Sequence, residues 1–535
     1  MKIPKSLIYY MIAASVAVIS GLPMHAESAP PAYTLNLSSG KLPKDVETAN
    51  TNGLLPKKSA YKRGYTEKGW TVDRLYNLGY VAVTPTYTAG EGNCENTLTL
   101  PPLKIENGHR LIWKAQSVYR HFPESYRVEA VPTDGSNPVT LAEVEAESYS
   151  ATAHNIPLTP VEGKEVSLRF VCTSSEGYLL AMWDVQVGEF TDEVSTEEAF
   201  TAGSSGDPFM RKFLVDRGTG MWCVNCPAGD IAVDRLMELY GDRVVSLNTH
   251  VRDALGNQAY WDKLDWYAVP YMMLNRIKGS AGPNTNKFSQ YYEQPTSFAI
   301  RIDEIPAPQG RTLEITAHVS VNETIDNSDG RYRLGYVLTG DYHDPTNPEF
   351  IQSNNCNQPS YGPYYYLPSS IHPELMYYED VTLTTEGAFD GIEGSLPTSM
   401  ETGKDYEVRW QAEVPELLSN PAEARVVAYV LDTTTGEVQN TDALRVGEHP
   451  TGGVSDIRQD ETSCILGATR EGVRVRIAAG KEYRLDIYDV AGSLIGSHRG
   501  ISHGQEVLPY QIPPGIYFIT LSTAQTHASV KAAVR

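Results

Sequence analysis

No cysteine precedes Cys94, so none stands near an amino-terminal cleavage site to take a lipid. Apolar runs are equally scarce: only Leu7 to Gly21 approaches membrane length, and it is short for a span. Positive charge is in deficit, with 44 Lys and Arg against 66 Asp and Glu and a formal charge of −22. A phosphate binder needs a basic face, so this charge argues against nucleic acid as a partner. Phe is sparse, at 11 residues against 33 Tyr, a balance that suits β-rich surfaces at the water boundary. Neither a Ser-His-Asp elbow, a phosphate loop nor an EF-hand pattern occurs. The sequence calls for no cofactor and no metal.

The first residues read as an export signal over 1–26. Lys2 and Lys5 open it, an apolar stretch follows, and Ala26 or Ser28 offers a cleavage point. A chain of 535 residues exceeds one hydrophobic core and should divide into several domains. Residues 27–66 are polar with no lasting period and read as a flexible arm. From 67 to 190 short alternating runs such as Arg110-Leu111-Ile112-Trp113-Lys114-Ala115 are separated by turn clusters such as Asp134-Gly135-Ser136-Asn137-Pro138, the pattern of a β-sandwich. An acidic Ser/Gly-rich linker follows at 191–207. Alternation returns over 296–450, interrupted by a Tyr/Pro/Asn-rich insertion at 342–378 that reads as a large loop or flap on a second sandwich. The stretch 452–535 has nine Lys/Arg and eight Asp/Glu, a net of +1, which leaves −23 on the rest (−22 − 1). Its strict alternation predicts a small β module.

Only 208–295 carries an α/β order. A strand at Arg211–Val215 leads into Gly220-Met221-Trp222-Cys223-Val224-Asn225-Cys226-Pro227. A helix at Ile231–Tyr240 stops at Gly241, a strand follows at Arg243–Asn248, a helix at Gln258–Trp266, and a strand at Tyr271–Leu274 after Pro270. Two thiols at the first turn of a helix meet its exposed N–H groups, which favour an anion. That stabilises Cys223 as the attacking thiolate, with Cys226 placed to resolve a mixed disulfide. Pro227 suits the first helical turn, where no N–H is required. Other roles for these residues stay open: a permanently oxidised structural bridge, or a zinc site with His250, which lacks a second CxxC. His250 is either a general base or a satisfied strand-end histidine. Cys94 and Cys172 share one β domain and could bridge it; Cys356 and Cys464 are unassigned.

Residues 208–280 resemble the thioredoxin-like domain of the 28-kDa outer-membrane-protein-related family. The resemblance rests on Thr219 to Pro227, His250 with Asp253, Val269-Pro270 and Asn275-Arg276. It implies a thioredoxin fold with Cys223 as nucleophile, Cys226 as resolving thiol and Pro270 as a cis-proline. Trp222, Val269 and Pro270 become the candidate substrate-binding residues. The buried acid of ordinary thioredoxins lies six residues before the first cysteine, whereas Asp216 lies seven before Cys223. Residues 452–535 resemble the C-terminal sorting domain of type IX secretion substrates, through Ile487 to Gly492, Pro514 to Tyr517 and Val530 to Val534. That implies an immunoglobulin-like β fold, engagement of secretion machinery and an outer-membrane-surface or secreted location. The 67–190 segment resembles the jelly-roll sandwiches of cleaved-adhesin-type surface proteins, through Gly69-Trp70, Thr99 to Leu103 and Trp183 to Val187.

The expected protein is therefore multidomain and mostly β: jelly-roll, thioredoxin-like α/β domain, second sandwich and immunoglobulin-like module. Its function is thiol–disulfide exchange on protein substrates, or, alternatively, adhesion to surface or host proteins with the thioredoxin fold as scaffold.

Overall fold

The computed structural model describes residues 30–75, 78–190, 209–264, 266–277 and 295–448, and the strands between 463 and 534. The expected signal at 1–26, the expected linker at 191–207 and part of the expected 208–295 unit lie outside the described residues. The chain is mostly β and built of several sheets, as its alternating runs require.

Residues 30–190 form a sandwich of two six-stranded sheets. The expected arm belongs to it: Tyr33–Thr34 pairs with Leu179–Glu189, and Glu47–Asn50 pairs with Asn96–Thr99. Leu35, Leu37 and Val46 are buried in its core, so sparse apolar residues without a period sufficed to pin this stretch. Leu179–Glu189 is apolar on both faces because both are covered. Leu180 and Met182 face the sandwich core, while Leu179, Ala181 and Trp183 face the Tyr-rich insertion.

The expected bridge between Cys94 and Cys172 is not formed; both are buried free thiols. Burial pushes the Cys94 thiol up to about 12 and that of Cys172 well above its usual value. Each acts as a small apolar side chain.

The α/β portion contributes β1 (Phe213–Thr219), α1 (Pro227–Tyr240), β2 (Val244–His250), α2 (Gln258–Lys263) and β3 (Tyr271–Leu274). β1 and β2 run parallel and β3 runs antiparallel to β1. The sheet does not stop there. It continues through β4 (Tyr332–Tyr342), β5 (Tyr378–Thr382), β6 (Arg425–Asp432) and β7 (Glu437–Arg445) in the order β3-β1-β2-β5-β4-β6-β7. The expected boundary near 295 therefore divides one continuous sheet. A three-stranded sheet of Phe298–Ile302, Thr312–Val321 and Asp405–Glu413 packs on β4 and β6 and completes the second sandwich.

Alternation along β1 sorts its side chains between two faces. Phe213 and Val215 join Val233 and Leu236 of α1. Leu214 joins Tyr260, Leu264 and Trp266 around α2, together with Val427 and Tyr429 of β6. On that second face Arg276 is wholly enclosed. Its guanidinium donates to the Tyr260 and Tyr429 hydroxyls at 2.9 and 3.0 Å and pairs with Asp216 at 3.3 Å. A charge buried this way holds only while every partner stays, and removing one partner typically costs about 3–5 kcal/mol.

The insertion at 342–378 is not a projecting flap. Tyr364, Tyr365, Tyr366 and Leu367 are buried in one apolar cluster with Val81, Val83 and Tyr178 of the jelly-roll and with Met221 and Ile231 beside the cysteine helix. Tyr119 donates to the Leu375 carbonyl at 2.6 Å, and Lys62 N–H to the Tyr366 carbonyl at 2.5 Å. The insertion thus joins the jelly-roll to the α/β sheet. The strands between 463 and 534 form a three-stranded and a four-stranded antiparallel sheet.

Candidate functional site: a disulfide at a helix start

Cys223 and Cys226 form a disulfide, with their Cα atoms 5.4 Å apart, in the loop between β1 and α1. Cys226 is the residue before the helix and Pro227 occupies its first position, as the spacing required. The loop is anchored from below. Met221 N–H donates to Asp253 Oδ2 at 2.8 Å, and the Trp222 indole donates to the Val251 carbonyl at 2.8 Å. His250 Nδ1 lies 2.9 Å from the same Asp253 oxygen and is 2% exposed, so it is an engaged strand-end histidine. Burial opposes the Asp253 charge, yet hydrogen bonds from His250, Met221 and Leu255 hold its pKa below the usual value. Among the described residues no group of three or more His, Cys, Asp or Glu side chains could hold a metal.

The Val269–Pro270 bond is cis. A methyl placed on Gly229, one turn beyond Cys226, would stand 3.6 Å from Pro270 Cβ and 3.3 Å from Cδ and Nη1 of Arg217. Pro270 therefore packs at the first turn of the cysteine helix. Asp216 does not: it points to the opposite face, bonded to Tyr260 and Arg276. The charged residue beneath α1 is Arg217, six positions before Cys223.

Access to the sulfurs is narrow. Cys223 is 6% exposed and Cys226 1%. Residues 352–355 of the insertion lie along the loop and take its carbonyls: Ser353 N–H donates to Met221, Gln352 Nε2 to Cys223 and Asn355 N–H to Val224, at 2.8, 3.1 and 2.8 Å. Around this strap the surface is apolar. Trp222, Val224, Tyr267 and Ile351 are all exposed, half of the eight large hydrophobic side chains exposed among the described residues. Trp222 and Val224 stand in the loop itself and Ile351 directly precedes the strap, whereas Tyr267 lies three residues before Pro270. Exposed apolar side chains gathered at one loop mark interaction sites.

Beside α1 a cavity of about 440 Å³ opens on the same face of the sheet. Arg120, Arg217, Asp234, Asp380 and Arg425 line it with several tyrosines. Its charges are mutually paired: Arg120 with Asp234 and Glu379, Arg425 with Asp380, Lys212 with Asp442.

The cysteine pair, Trp222, Val269 and Pro270 stood out in the sequence. Arg217, the strap and the apolar rim did not. The one available signal was two adjacent opposite charges, Asp216-Arg217, closing an apolar strand. Such a pair must send one charge to each face.

Fold and site together define a multidomain, mostly β protein in which one mixed sheet carries a disulfide at a helix start. No protein-family model and no curated sequence matches the chain. Among solved structures it is similar to HBP35 of Porphyromonas gingivalis, at 14% identity over 61% of this chain and 99% of that one, with a TM-score of 0.32. It is also similar to the K3 cleaved adhesin domain of Lys-gingipain from the same organism, at 14% identity over 30% and 99%, with a TM-score of 0.24. A family 29 carbohydrate-binding module matches at 9% identity over 29% and 99%, with a TM-score of 0.19.

Proposed function

We propose that the chain is an exported surface or secreted binding protein in which a thioredoxin-like half-domain serves as scaffold. The observation that carries this reading is the strap. The insertion occupies the backbone of the cysteine loop, while Trp222, Val224 and Ile351 at that loop, and Tyr267 three residues before Pro270, expose apolar side chains as its rim. Aromatic side chains with water-facing tips are the residues that anchor protein partners. The partner is a surface or host protein. Export by residues 1–26 and sorting by 452–535, through the secretion machinery, would bring the rim to the outer-membrane surface.

A second reading, thiol–disulfide exchange on protein substrates, is favoured by a different observation. Cis-Pro270 packs at the first turn of α1 beside a disulfide at the helix start. In that reading Cys223 attacks, Cys226 resolves, and Trp222, Val269 and Pro270 meet the substrate.

One experiment separates the two. The full-length protein is displayed on cells, and adhesion to a panel of immobilised extracellular proteins is measured beside insulin-type reductase activity. A Trp222→Ala/Tyr267→Ala variant should lower adhesion more than about tenfold, a loss of about 1.4 kcal/mol. Cys223→Ser/Cys226→Ser should leave adhesion intact. Reductase activity that the cysteine variant abolishes, with adhesion indifferent to the rim, overturns the binding reading in favour of the second.

A further inference from the structure

The least expected group near the disulfide is a buried cation. Arg217 is 4% exposed and lies on the α1 face of β1, its Cδ and Nη1 against Gly229. It donates to Asn248 Oδ1 at 2.7 Å and pairs with Asp230 Oδ1 at 2.5 Å. A guanidinium cannot lose its proton, so a positive charge is fixed against Gly229, one helical turn beyond Cys226.

We infer that Arg217 is a positioning residue for the redox state of the cysteine pair: it stabilises the thiolate formed on reduction and makes the disulfide an easily reduced one. In the oxidised protein the carboxylate paired with that guanidinium is Asp230, in the first turn of α1, whose start is positive. Reduction by two glutathione thiols breaks the Cys223–Cys226 bond, forms glutathione disulfide and leaves two cysteine sulfurs. One keeps its proton, and the other can release its proton to water and remain as thiolate. That new anion is what the cation and the helix start are arranged to hold.

The remaining charges around the pair do not cancel this. Asp230 is the more exposed partner, at 29% of its side chain against 5% for Arg217, and it also accepts from the Tyr364 hydroxyl at 3.0 Å. Water therefore screens the carboxylate more than the guanidinium. Asp253 is spent on His250, Met221 and Leu255. From the insertion, Tyr364 stays a neutral hydroxyl, its pKa pushed well up by burial, and burial pushes the Cys356 thiol up to about 12. Arg217 is thus the buried charge that decides the sign. The inference holds whether or not a protein substrate reaches the sulfurs, so it stands apart from the choice between scaffold and exchanger.

The test equilibrates the full chain in glutathione buffers and reads the reduced fraction by alkylation. The pH dependence of iodoacetamide labelling gives the thiol titration. Arg217→Met should lower the equilibrium constant for reduction about tenfold, a fall of about 30 mV for a two-electron couple, and move the titration upward. Arg217→Lys should restore most of both. Asp230→Asn leaves the guanidinium unopposed and should move both quantities the opposite way, which decides the matter if Arg217→Met fails to fold. Potentials and titrations unchanged in Asp230→Asn, or in a folded Arg217→Met, overturn the inference. Reductase activity on insulin is scored separately, so loss of the exchange reading leaves this result standing.

Discussion

Several side chains are held in protonation states that water would not give them, and Glu124 is the clearest. It is buried between the jelly-roll strands, where desolvation raises its pKa from 4.5 to about 7 against the lowering effect of bonds from Ser174, Thr86 and Tyr178. Gly177 leaves room for its carboxyl, since any Cβ there would overlap both oxygens. The folded state binds this proton more tightly than the unfolded chain does. Its stabilising contribution is therefore complete below pH 4.5 and is lost as pH rises through about 7. A tenfold difference in proton affinity between folded and unfolded chain is worth ~1.4 kcal/mol, so Glu124→Gln should raise stability above pH 7 by up to ~3 kcal/mol and flatten its pH profile. Urea melts of both proteins at pH 5 and pH 8 check this; an equal difference at the two pH values contradicts it. In the sequence Glu124 was one acid among 66 Asp and Glu, because pairing and desolvation are properties of the packed site.

Among the elements, the insertion decides most, and its grip on the jelly-roll includes a stack of three rings. Tyr377 lies between His121 and His343, with centroids 4.0 and 3.9 Å apart and planes within 10° and 5°. Burial first, then Arg120 and His343, drive the His121 pKa from 6.5 down to about 3. Glu379 stands 3.6 Å from His121 and is itself paired with Arg120, and Tyr119 meets His121 edge-on. His121 is thus neutral when folded. The stability this contributes is present above pH 6.5 and declines as pH falls below it, by ~1.4 kcal/mol per pH unit at the steepest. Hydrogen-exchange protection factors over 118–124 and 373–379, with the intrinsic pH dependence of exchange divided out, should fall between pH 6.5 and about 4.5 in the wild type and much less in His121→Phe. An equal fall in protection in both would remove His121 from that role. The composition of 342–378 marked it as a distinct segment, but Tyr, Pro and Asn suit a projecting loop and a packed connector equally well. Only the partners of Tyr364 to Leu367 distinguish the two.

At the scale of the whole molecule, the α/β part cannot be lifted out. β2 pairs with β5, Leu214 and Trp266 pack against Val427 and Tyr429, and Arg276 bonds Tyr429 and the Ala388 carbonyl. A fragment of residues 208–295 should therefore fail to fold cooperatively, whereas 30–448 should melt in a single transition. Near-ultraviolet circular dichroism on the two fragments checks this, and a cooperative melt of the short one would contradict it. Because the jelly-roll, insertion and cysteine loop share one apolar cluster, changes in the loop should be felt in the sandwich.

Local chemistry determined what the sequence alone could show. Strand alternation, the stops at Gly241 and Pro270, and the cysteine spacing with Pro227 placed the elements of the α/β portion and the disulfide at the helix start. These depend on neighbours a few residues apart, and backbone geometry dictates them directly. Tertiary structure alone decided that one sheet runs through two expected domains, that Arg217 rather than Asp216 lies beneath the cysteine helix, and that residues 352–355 cover its loop. Each of those is a contact between residues tens to hundreds of positions apart. Such contacts are chosen by which apolar faces and charges find partners once the chain has packed, and no local pattern records that choice.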